Sequence, residues 1–600
     1  MPEASPSGPT SRPSLSARRG RLLFEEFTGE LSLDAVRGRV ALLADYQRRV
    51  HRWFTLSAAM GILVGILVGG LHVLIEDLLL ERLVLHSPWP LVLILPTIGL
   101  ALAHQALRAV PGIRNPETTE RYIAAFHQPR ERLRLRDLWG RLLASVMTIG
   151  SGGSLGLEGP SLLTGASIGA HLQPRFPRVF AGEDARLLMV AGAAAGVSAI
   201  FRAPLTGVVF ALEVPFKDDI ARHAVLPALV ASATGYLGQS IFFGTQPLLP
   251  VGRVPAFTSR DVVATIVVGV ACGAGARLFV RALHPIRRAT SGWSSFRRIA
   301  VGGSVTGLAG VIAMRLFGAP DVLGIGYPAV RAIAASQAPY DLAWALALFL
   351  VLKAVATGAT IVGGGAGGVF IPLVIMGAAV GGLSAELVGG VIPGLDVELF
   401  PLVGMAAFLG AGYHTPLAAV AFVAETTGSS NYIVAGLLAA AFAYGVMGRR
   451  SISTRQRTAR RGHVEALLDE AAANAISGPP VTVPPDATLE AFIRDYVFTA
   501  KHREYPVATD GRLLGMIALD HLHDVDPAQW PKTRIADVMD RDVASVPADA
   551  PLQVAAEVMN QTGMDRVPIV DAHGRVVGVI GPRDIFRFGE LLEDIQRSAS

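Results

Sequence analysis

The most informative segment of this sequence is Gly150-Ser151-Gly152-Gly153-Ser154-Leu155-Gly156-Leu157-Glu158-Gly159-Pro160. It leads into the apolar stretch 161–171, and proline is well tolerated in the first turn of a helix, so Pro160 predicts a helix with Glu158 at its mouth. A second glycine run, 363–368, ends in the same way at Val369-Phe370-Ile371-Pro372. Because a helix N-terminus presents unpaired N–H groups and about half a positive charge, the two segments predict a site for a small dehydrated anion.

The Glu158 side chain has a role in such a site. Its carboxylate is a tethered anion that can occupy the site, swing away when displaced, or leave when protonated. The alternative is that the glycines only allow close helix packing and that Glu158 is an ordinary helix N-cap. Two segments of one form, with an ionisable group at membrane depth where such groups are rare, favour the anion site.

An internal repeat adds a second constraint. Phe201-Arg202-Ala203-Pro204-Leu205 with Phe210 and Glu213 matches, at one constant interval, Tyr413-His414-Thr415-Pro416-Leu417 with Phe422 and Glu425. Such a repeat predicts two halves, commonly of opposite orientation, with the ion site at their interface. Glu213 and Glu425 are candidates for relay groups or for acceptors of facing backbone N–H groups, and their equivalent positions favour the structural role.

The composition places the chain in a membrane. Of its 600 residues 51% are hydrophobic and 17% are charged, whereas soluble domains carry about 25% charged residues. Apolar runs recur between 55 and 447, but several are only about 10 to 14 residues long, and a spanning helix needs about 20. Helices that end inside the membrane are tolerated where freed backbone groups face protein or a water-filled cavity, so the pattern predicts a transport pathway.

The charge distribution, the cysteine content and the motifs indicate where the termini lie and argue against nucleic-acid binding, a cysteine metal site and enzymatic activity. Arginines flank the apolar region at 48–52 and 449–461, and residues 1–54 lack the apolar core and cleavage site of a secretory signal peptide, so we expect both termini in the cytoplasm. We expect the membrane to be a bacterial inner (plasma) membrane. Because the positive-inside rule explains these basic residues, the net charge of +5 does not indicate that the protein binds nucleic acid. The single cysteine, Cys272, excludes a multi-cysteine metal site. Because the sequence has no HExxH motif and no Ser/His pair on adjacent spans, we expect no enzymatic activity.

Beyond about residue 475 the composition is that of a soluble domain with two similar units. Each reads as helix, strand, turn, strand and helix, with strands predicted at 505–508, 515–518, 567–570 and 577–580. The arrangement resembles a tandem pair of α/β CBS domains. We therefore divide the chain into a cytoplasmic N-terminal segment (1–54), a transmembrane domain (55–450), a basic linker (451–475) and the tandem CBS domains (476–600).

The membrane region resembles the CLC family of chloride channels and proton-coupled chloride antiporters. Gly156-Leu157-Glu158-Gly159-Pro160 looks like the family's GREGP motif with Leu for Arg, and Gly368-Val369-Phe370-Ile371-Pro372 looks like its GxFxP motif. The resemblance implies an all-α polytopic membrane fold with broken helices and inverted-repeat halves, assembled as a homodimer with one pore in each subunit. It also implies that Glu158 is the gating residue and that anions bind at Gly156, Gly159, Phe370 and Ile371.

Three departures from the family pattern bear on function. The serine expected to contact chloride falls on Ile113. The pore-lining tyrosine expected after the last span falls on Ser453, which becomes the candidate anion ligand at a more open inner gate. The proton-relay glutamate of the antiporters falls on Val214, and a valine cannot carry a proton. We therefore expect passive, gated conduction of chloride or similar small anions through the lipid bilayer, weakly coupled or uncoupled to protons.

Two alternatives stay open. One is a proton/chloride antiporter whose protons bypass position 214 through water or another group. The other is a CBS-bearing cation channel, which is disfavoured because the acidic residues of 316–448 lie mostly in apparent loops. We expect no required cofactor. In the CBS pair only Asp584 fits the adenine-nucleotide pattern of such modules, so a ligand-free dimerising and regulatory module is at least as well supported as nucleotide binding.

Overall fold

The computed structural model divides into two compact units, Met1–Ala459 and Arg460–Ser600. Within them it describes the backbone of 33–599 and the side chains of 51–591, except at 114, 129–132, 178–185, 252–256, 393–394, 460–466, 469 and 501. Most of the predicted N-terminal segment 1–54, Arg114 beside Ile113, and part of the predicted linker 451–475 lie outside the described residues.

The first unit is helical. Its helices, numbered in chain order, are α1 Leu33–His72 with a π-helical continuation Val73–Leu85, α2 Trp89–Arg108, α3 Thr119–His127, α4 Leu135–Gly150, α5 Glu158–Leu172, α6 Leu187–Phe201, α7 Pro204–Glu213, α8 Val225–Phe243, α9 Asp261–Thr290, α10 Ser295–Phe317, α11 Tyr327–Ala334, α12 Ala343–Val362, α13 Phe370–Gly389, α14 Leu399–Tyr413, α15 Pro416–Thr427 and α16 Ile433–Met447. Short 3₁₀ turns lie at Gln173–Arg175 and Arg222–Ala224. All but α3 and α11 coincide with the apolar runs of the sequence.

Seven helices in the part of the chain that the structure describes are long and apolar enough to cross a membrane. They are His51–Leu85, Trp89–Arg108, Arg222–Phe243, Asp261–Thr290, Ser295–Phe317, Ala343–Val362 and Phe370–Gly389. Their outward faces carry exposed leucine, isoleucine, valine and tryptophan side chains, as a lipid-facing surface requires. The predicted all-α polytopic membrane fold is confirmed.

Among the described residues, five further apolar helices are shorter, at 10 to 17 residues: α6, α7, α14, α15 and α16. At 1.5 Å per residue, a helix of about 15 residues extends about 22 Å, which is less than the roughly 30 Å of hydrocarbon in a bilayer. These helices cannot cross a membrane alone, so the predicted broken-helix architecture is present.

The repeat predicted from the sequence corresponds to two helix pairs, α6–α7 and α14–α15. Each pair turns at a non-glycine residue with left-handed backbone, Arg202 (φ 54°) in the first and His414 (φ 56°) in the second. Two residues later, Pro204 and Pro416 begin the next helix. The two copies therefore share their backbone conformation as well as their residues.

The acidic residues of the repeat cap each other's helices. Glu425, near the end of α15, accepts hydrogen bonds from the N–H groups of Leu205 and Thr206 at the start of α7, both at 2.7 Å. Glu213, at the end of α7, accepts from the N–H of Ala418 at the start of α15 at 2.9 Å. The start of each helix therefore lies at the end of the other, and the two run antiparallel. The structural role predicted for both glutamates is confirmed.

The second unit contains two small sheets. Antiparallel strands β1 Glu504–Thr509 and β2 Arg512–Ala518 form one, and β3 Val546–Pro547, β4 Val567–Val570 and β5 Val576–Ile580 form the other. The helices are α17 Leu489–Phe492, continued through Ile493–Val497 and Phe498–Ala500, then α18 Ile535–Val538, α19 Leu552–Thr562 and α20 Pro582–Ala599, with 3₁₀ turns at Ala472–Ala475, Leu519–Asp524 and Pro527–Gln529. Each sheet has its own apolar core, and the predicted order of helices and strands is confirmed.

The helix caps formed by Glu213 and Glu425 give a first prediction. Replacing Glu425 by alanine leaves two backbone N–H groups of α7 without their acceptor, so we expect Glu425→Ala to lower the free energy of unfolding by about 2–4 kcal/mol. Unfolding in detergent by heat and by denaturant measures the change. Glu398→Ala, at an exposed glutamate, is the matched control, and equal losses in both variants would contradict a capping role.

Candidate anion site

Two glycine-rich loops meet at the centre of the first unit. The N–H of Gly156 donates to the carbonyl of Gly368, and the N–H of Gly368 donates to the carbonyl of Gly156, both at 2.8 Å. Helix α5 begins two residues after the first glycine, and α13 begins two residues after the second. This pair of hydrogen bonds, which we call the glycine bridge, places two helix N-termini next to each other.

The Glu158 side chain lies between these two N-termini. It is fully buried, and its Oε1 accepts a hydrogen bond from the N–H of Phe370 at 2.6 Å. The N–H of Ile371 lies beside the same carboxylate. The carboxylate thus occupies the N–H groups that the sequence predicted for an anion.

Glycine is required on both sides of this carboxylate. A Cβ atom at Gly156 would lie 1.9 Å from Oε2 of Glu158, and one at Gly368 would lie 2.0 Å from Oε1. At Gly159, a Cβ would lie 2.2 Å from the hydroxyl oxygen of Thr118. Other glycines, such as Gly165, would place a Cβ 1.8 Å from the backbone of a neighbouring helix. Gly156 and Gly368 therefore leave room for the Glu158 carboxylate, whereas Gly165 allows close helix packing.

Threonine hydroxyls hold the irregular backbone of the loops. Ser154 N–H donates to Thr360 Oγ1, and Ala366 N–H donates to Thr148 Oγ1, each at 3.1 Å. The hydroxyl of Thr118 donates to the carbonyl of Gly367 at 3.1 Å. Broken backbone at membrane depth needs such partners, because neither water nor a regular helix supplies them.

Aromatic rings from both copies of the repeat surround Phe370. Its ring centroid lies 4.6 Å from that of Phe201, 5.0 Å from Phe210 and 4.9 Å from Phe422. Tyr413, the counterpart of Phe201, meets Phe210 edge-on at 5.8 Å. The repeat thus fixes the residue whose N–H binds Glu158, a role that the sequence analysis did not anticipate.

A cavity of about 520 Å³ adjoins the glycine bridge, and we call it the vestibule. Its lining includes the immediate neighbours of the site: Leu155, Gly367, Val369 and Tyr413. Its charged lining consists of Arg108, Arg287, Arg298, Glu117 and Glu120. Arg455 neutralises Glu117 at 3.0 Å, so the three lining arginines outweigh the remaining carboxylate and favour the entry of anions.

The structure places the departures from the family pattern at three different positions. Ile113 lines the vestibule. Ser453 is buried, and its hydroxyl accepts from the N–H of Arg455 at 3.3 Å. Val214 is buried, and its carbonyl accepts from the side-chain amide of Gln456 at 2.9 Å. Part of the predicted linker therefore packs within the membrane unit.

Asp584, the nucleotide candidate, lies in the second unit at the start of α20. Its carboxylate accepts from the hydroxyl of Ser477 at 2.7 Å and from the N–H of Gly581 at 2.9 Å, and Arg566 lies 3.4 Å away. These contacts occupy the carboxylate within its own domain.

Family models match most of the chain. A model of voltage gated chloride channels matches residues 99–448, and a model of the CBS domain matches 472–526 and 535–590. The first match contains both glycine loops and both copies of the repeat.

Individual proteins are similar over the same region. The putative chloride channel protein ClcB-like of Ralstonia nicotianae is 31% identical over 60% of this chain and 82% of its own length. The H(+)/Cl(−) exchange transporter ClcA of Citrobacter koseri is 27% identical over 58% of this chain and 73% of its own.

Solved structures share the fold. A CLC-type fluoride/proton antiporter aligns with a TM-score of 0.56 and 25% identity over 67% of this chain and 98% of its own. A eukaryotic CLC transporter aligns with a TM-score of 0.55 and 19% identity over 90% of this chain and 98% of its own. The predicted fold class is confirmed.

The close contact between Gly368 and the carboxylate gives a second prediction. We expect Gly368→Ala to displace Glu158 and to destabilise the protein by about 1–3 kcal/mol, because the added methyl overlaps Oε1. Removing the carboxylate as well, in Gly368→Ala/Glu158→Ala, should restore part of that loss. A double-mutant cycle of thermal unfolding measures the coupling. Gly445→Ala is the control, since nothing lies within 4 Å of its Cβ position, and purely additive effects would count against the contact.

Proposed function

We propose that this chain, which belongs to the voltage gated chloride channel family, conducts chloride passively across the membrane and is gated by the carboxylate of Glu158. That it is an anion transporter of this family follows from its membership; passive conduction and the gating role are the proposal. The observation that carries the proposal is the hydrogen bond from Phe370 N–H to the Glu158 carboxylate, with the N–H of Ile371 beside it.

The gating step follows from competition for these donors. An ionised Glu158 side chain fills the position between the two helix N-termini and excludes a second anion of like charge. A protonated carboxyl group has no net charge to interact with the helix dipoles, so it leaves more readily and the N–H groups become free. A chloride ion then binds where the carboxylate was, and weak binding by partial charges allows its release.

Two observations support conduction without fixed proton coupling. A proton reaches a carboxylate at membrane depth only through water or a neighbouring titratable group. Val214, at the position where the antiporters have their relay glutamate, is buried and offers no such group. The adjacent Glu213 accepts from the N–H of Ala418 and caps α15, which occupies its carboxylate.

A proton/chloride antiporter is the second candidate, because relatives named as exchangers match the same region. The chain offers one carboxyl group for this reaction. Glu120 lines the vestibule, lies beside Ser453, and has its Oε2 buried without a hydrogen-bond partner. In this candidate mechanism Glu120 takes up protons from the vestibule and Glu158 receives them.

The remaining assignments extend the proposal. We assign the protein to a bacterial inner membrane with both termini in the cytoplasm, as a homodimer with one pore in each subunit. No cofactor is required for conduction. The CBS pair is a dimerising and regulatory module; an adenine nucleotide contacting Asp584 would compete with Ser477 for its carboxylate.

The gating role gives a third prediction. In liposomes, chloride efflux through the native protein should increase as the pH falls, because protonation removes the negative charge of Glu158. Chloride efflux through Glu158→Gln should be independent of pH and roughly tenfold faster at neutral pH than through the native protein. We expect this factor because the variant loses the competition between carboxylate and chloride, and tenfold corresponds to about 1.4 kcal/mol. Glu386→Gln, on the far end of α13, is the control. A Glu158→Gln protein that keeps the native pH dependence would refute the gate.

The absence of coupling gives a fourth prediction. With opposing chloride and proton gradients across the liposome membrane, the reversal potential should follow chloride alone. Sustained uphill proton movement driven by chloride would instead establish the antiporter. In that case Glu120→Gln should abolish proton movement and preserve chloride flux, whereas the same substitution leaves the reversal potential of a passive channel unchanged.

A further inference from the structure

The connection between α9 and α10 is strongly basic. Both helices are long and apolar enough to span a membrane, so the short connection 291–294 lies at a membrane surface. The sequence has no aspartate or glutamate from 262 to 320, whereas arginines stand at 281, 287, 288, 297 and 298. The segment 281–298, which we call the basic hairpin, therefore carries positive side-chain charge and no negative charge.

The arginines of the basic hairpin divide between two surroundings. Arg287 and Arg298 line the vestibule, and Arg287 lies 4.0 Å from the carboxylate of Glu117. Their neighbours Arg288 and Arg297 are exposed. Within the described part of the chain, neither of these two guanidinium groups has a carboxylate within 4.0 Å. Arg288 and Arg297 thus offer their charge to a partner outside the described chain.

Arg297 lies on the lipid-facing side of α10. Val301, Val305 and Leu308 are exposed, and they follow Arg297 at steps of three or four residues, which is the spacing of side chains on one side of a helix. Exposed apolar side chains of a spanning helix face the acyl chains of the lipids. Arg297, at the end of this side, therefore lies at the depth of the lipid headgroups.

Arg288 has the corresponding position on α9. The exposed Val267 shares one side of the helix with Arg281 and Arg288, because multiples of seven residues, about two helical turns each, separate the three. Leu278 is exposed next to this side. A long arginine side chain near a helix end keeps its aliphatic part against apolar surface and extends its charge toward the headgroups. Both helices of the hairpin thus end their lipid-facing sides in arginine.

Two aromatic side chains accompany these arginines. The guanidinium of Arg297 lies 3.9 Å from the centroid of the Trp293 ring, a cation–π contact that fixes the direction of the charge. Tryptophan is enriched at membrane–water interfaces, where its ring lies at headgroup level. Phe296 is 82% exposed, and at this depth its ring can insert among the acyl chains. An apolar ring and a fixed cation therefore follow each other in the chain.

The charge of the first turn of α10 is unfavourable for the helix itself. A helix N-terminus carries about half a positive charge, so acidic residues stabilise the first turn and basic residues destabilise it. The first turn of α10 contains no acidic residue, and Arg297 and Arg298 stand at its end. An anion bound by Arg297 would offset this repulsion, so the local sequence is better suited to a helix end with an anion than without one.

We propose that the basic hairpin is a binding surface for anionic phospholipids, in which Arg288 and Arg297 donate to phosphodiester oxygens and Phe296 packs against the acyl chains. A guanidinium donates paired hydrogen bonds to phosphate, and basic residues next to a spanning helix attract anionic lipids. The inference concerns a partner of the membrane unit, and it rests neither on chloride conduction nor on the gating role of Glu158.

Membrane topology alone does not account for the arrangement. The positive-inside rule favours arginines in a connection, but it requires no particular direction or contact for them. Here one arginine is fixed against Trp293, and two continue the lipid-facing sides of their helices. An acidic protein segment would satisfy the charges and leave Phe296 and the exposed valines of α10 uncovered. An anionic lipid satisfies the charges and covers the apolar side chains.

Lipid binding by the purified full-length protein tests the surface. In a neutral detergent, native mass spectrometry should show that the protein binds added phosphatidylglycerol in preference to phosphatidylcholine. We expect Arg288→Gln and Arg297→Gln each to weaken phosphatidylglycerol binding roughly fivefold, the contribution of one arginine near a membrane surface. Arg315→Gln is the matched control, because it replaces an exposed arginine in the last turn of α10. Equal affinity for the two lipids, or equal effects of Arg297→Gln and Arg315→Gln, overturns the inference.

Inorganic phosphate distinguishes a lipid from a soluble anion. If the surface binds the acyl chains as well as the headgroup, inorganic phosphate should not displace phosphatidylglycerol, and Phe296→Ser should weaken binding of the lipid. Displacement by inorganic phosphate, together with native lipid affinity in Phe296→Ser, would assign the arginines to a soluble anion and overturn the proposal.

Tryptophan fluorescence in vesicles gives an independent measurement. Brominated acyl chains quench a tryptophan that they contact, and the difference between the native protein and Trp293→Phe isolates the signal of Trp293. At equal mole fractions, brominated phosphatidylglycerol should quench Trp293 more than brominated phosphatidylcholine does, and Arg288→Gln/Arg297→Gln should remove the difference. If this double variant does not fold, the two single variants decide. Equal quenching by the two lipids, as expected if a protein segment covers the hairpin, contradicts the inference.

Discussion

Two helix N-termini are held next to each other at membrane depth, where little water is present to hydrogen-bond their free backbone groups. The glycine bridge between Gly156 and Gly368 fixes the two loops at hydrogen-bonding distance. The backbone groups that this leaves unpaired are satisfied by threonine hydroxyls and by the Glu158 carboxylate. The short helices, the glycine runs and the buried polar residues are all consequences of breaking helices at this depth.

The internal repeat also stabilises this arrangement, through helix caps and aromatic packing. Glu213 and Glu425 each cap a helix that belongs to the other half, so neither half has its helix ends satisfied alone. The rings of Phe201, Phe210 and Phe422 then pack around Phe370. Because the caps and the rings come from the same repeated segments, a shift between the halves changes the position of the Phe370 N–H directly. The candidate anion site thus lies at the interface between the halves.

The sequence predicts those parts of the site that have a local signal. The glycine runs ending in Pro160 and Pro372 predict two helix N-termini, and the structure has both. Helices α3 and α11 lack a long apolar run, so hydropathy does not predict them. Tyr413 and Thr119 belong to distant segments, and nothing in their local sequence indicates that both reach the vestibule. The comparison of the two repeat copies does distinguish Tyr413, because it carries a hydroxyl group that its counterpart Phe201 lacks.

A site built from backbone donors also accounts for the distribution of fixed charge. Leu157 stands where the family motif has arginine, and it is buried, so no guanidinium lies beside Glu158 in that segment. A full positive charge in a dry interior holds an anion strongly, whereas a helix end with about half a charge holds it weakly enough to release it. The arginines lie on the vestibule wall instead, where water screens them and they raise the local concentration of anions. Because the carboxylate and a chloride ion need the same N–H groups, the closed and the conducting states of the proposed channel exclude each other.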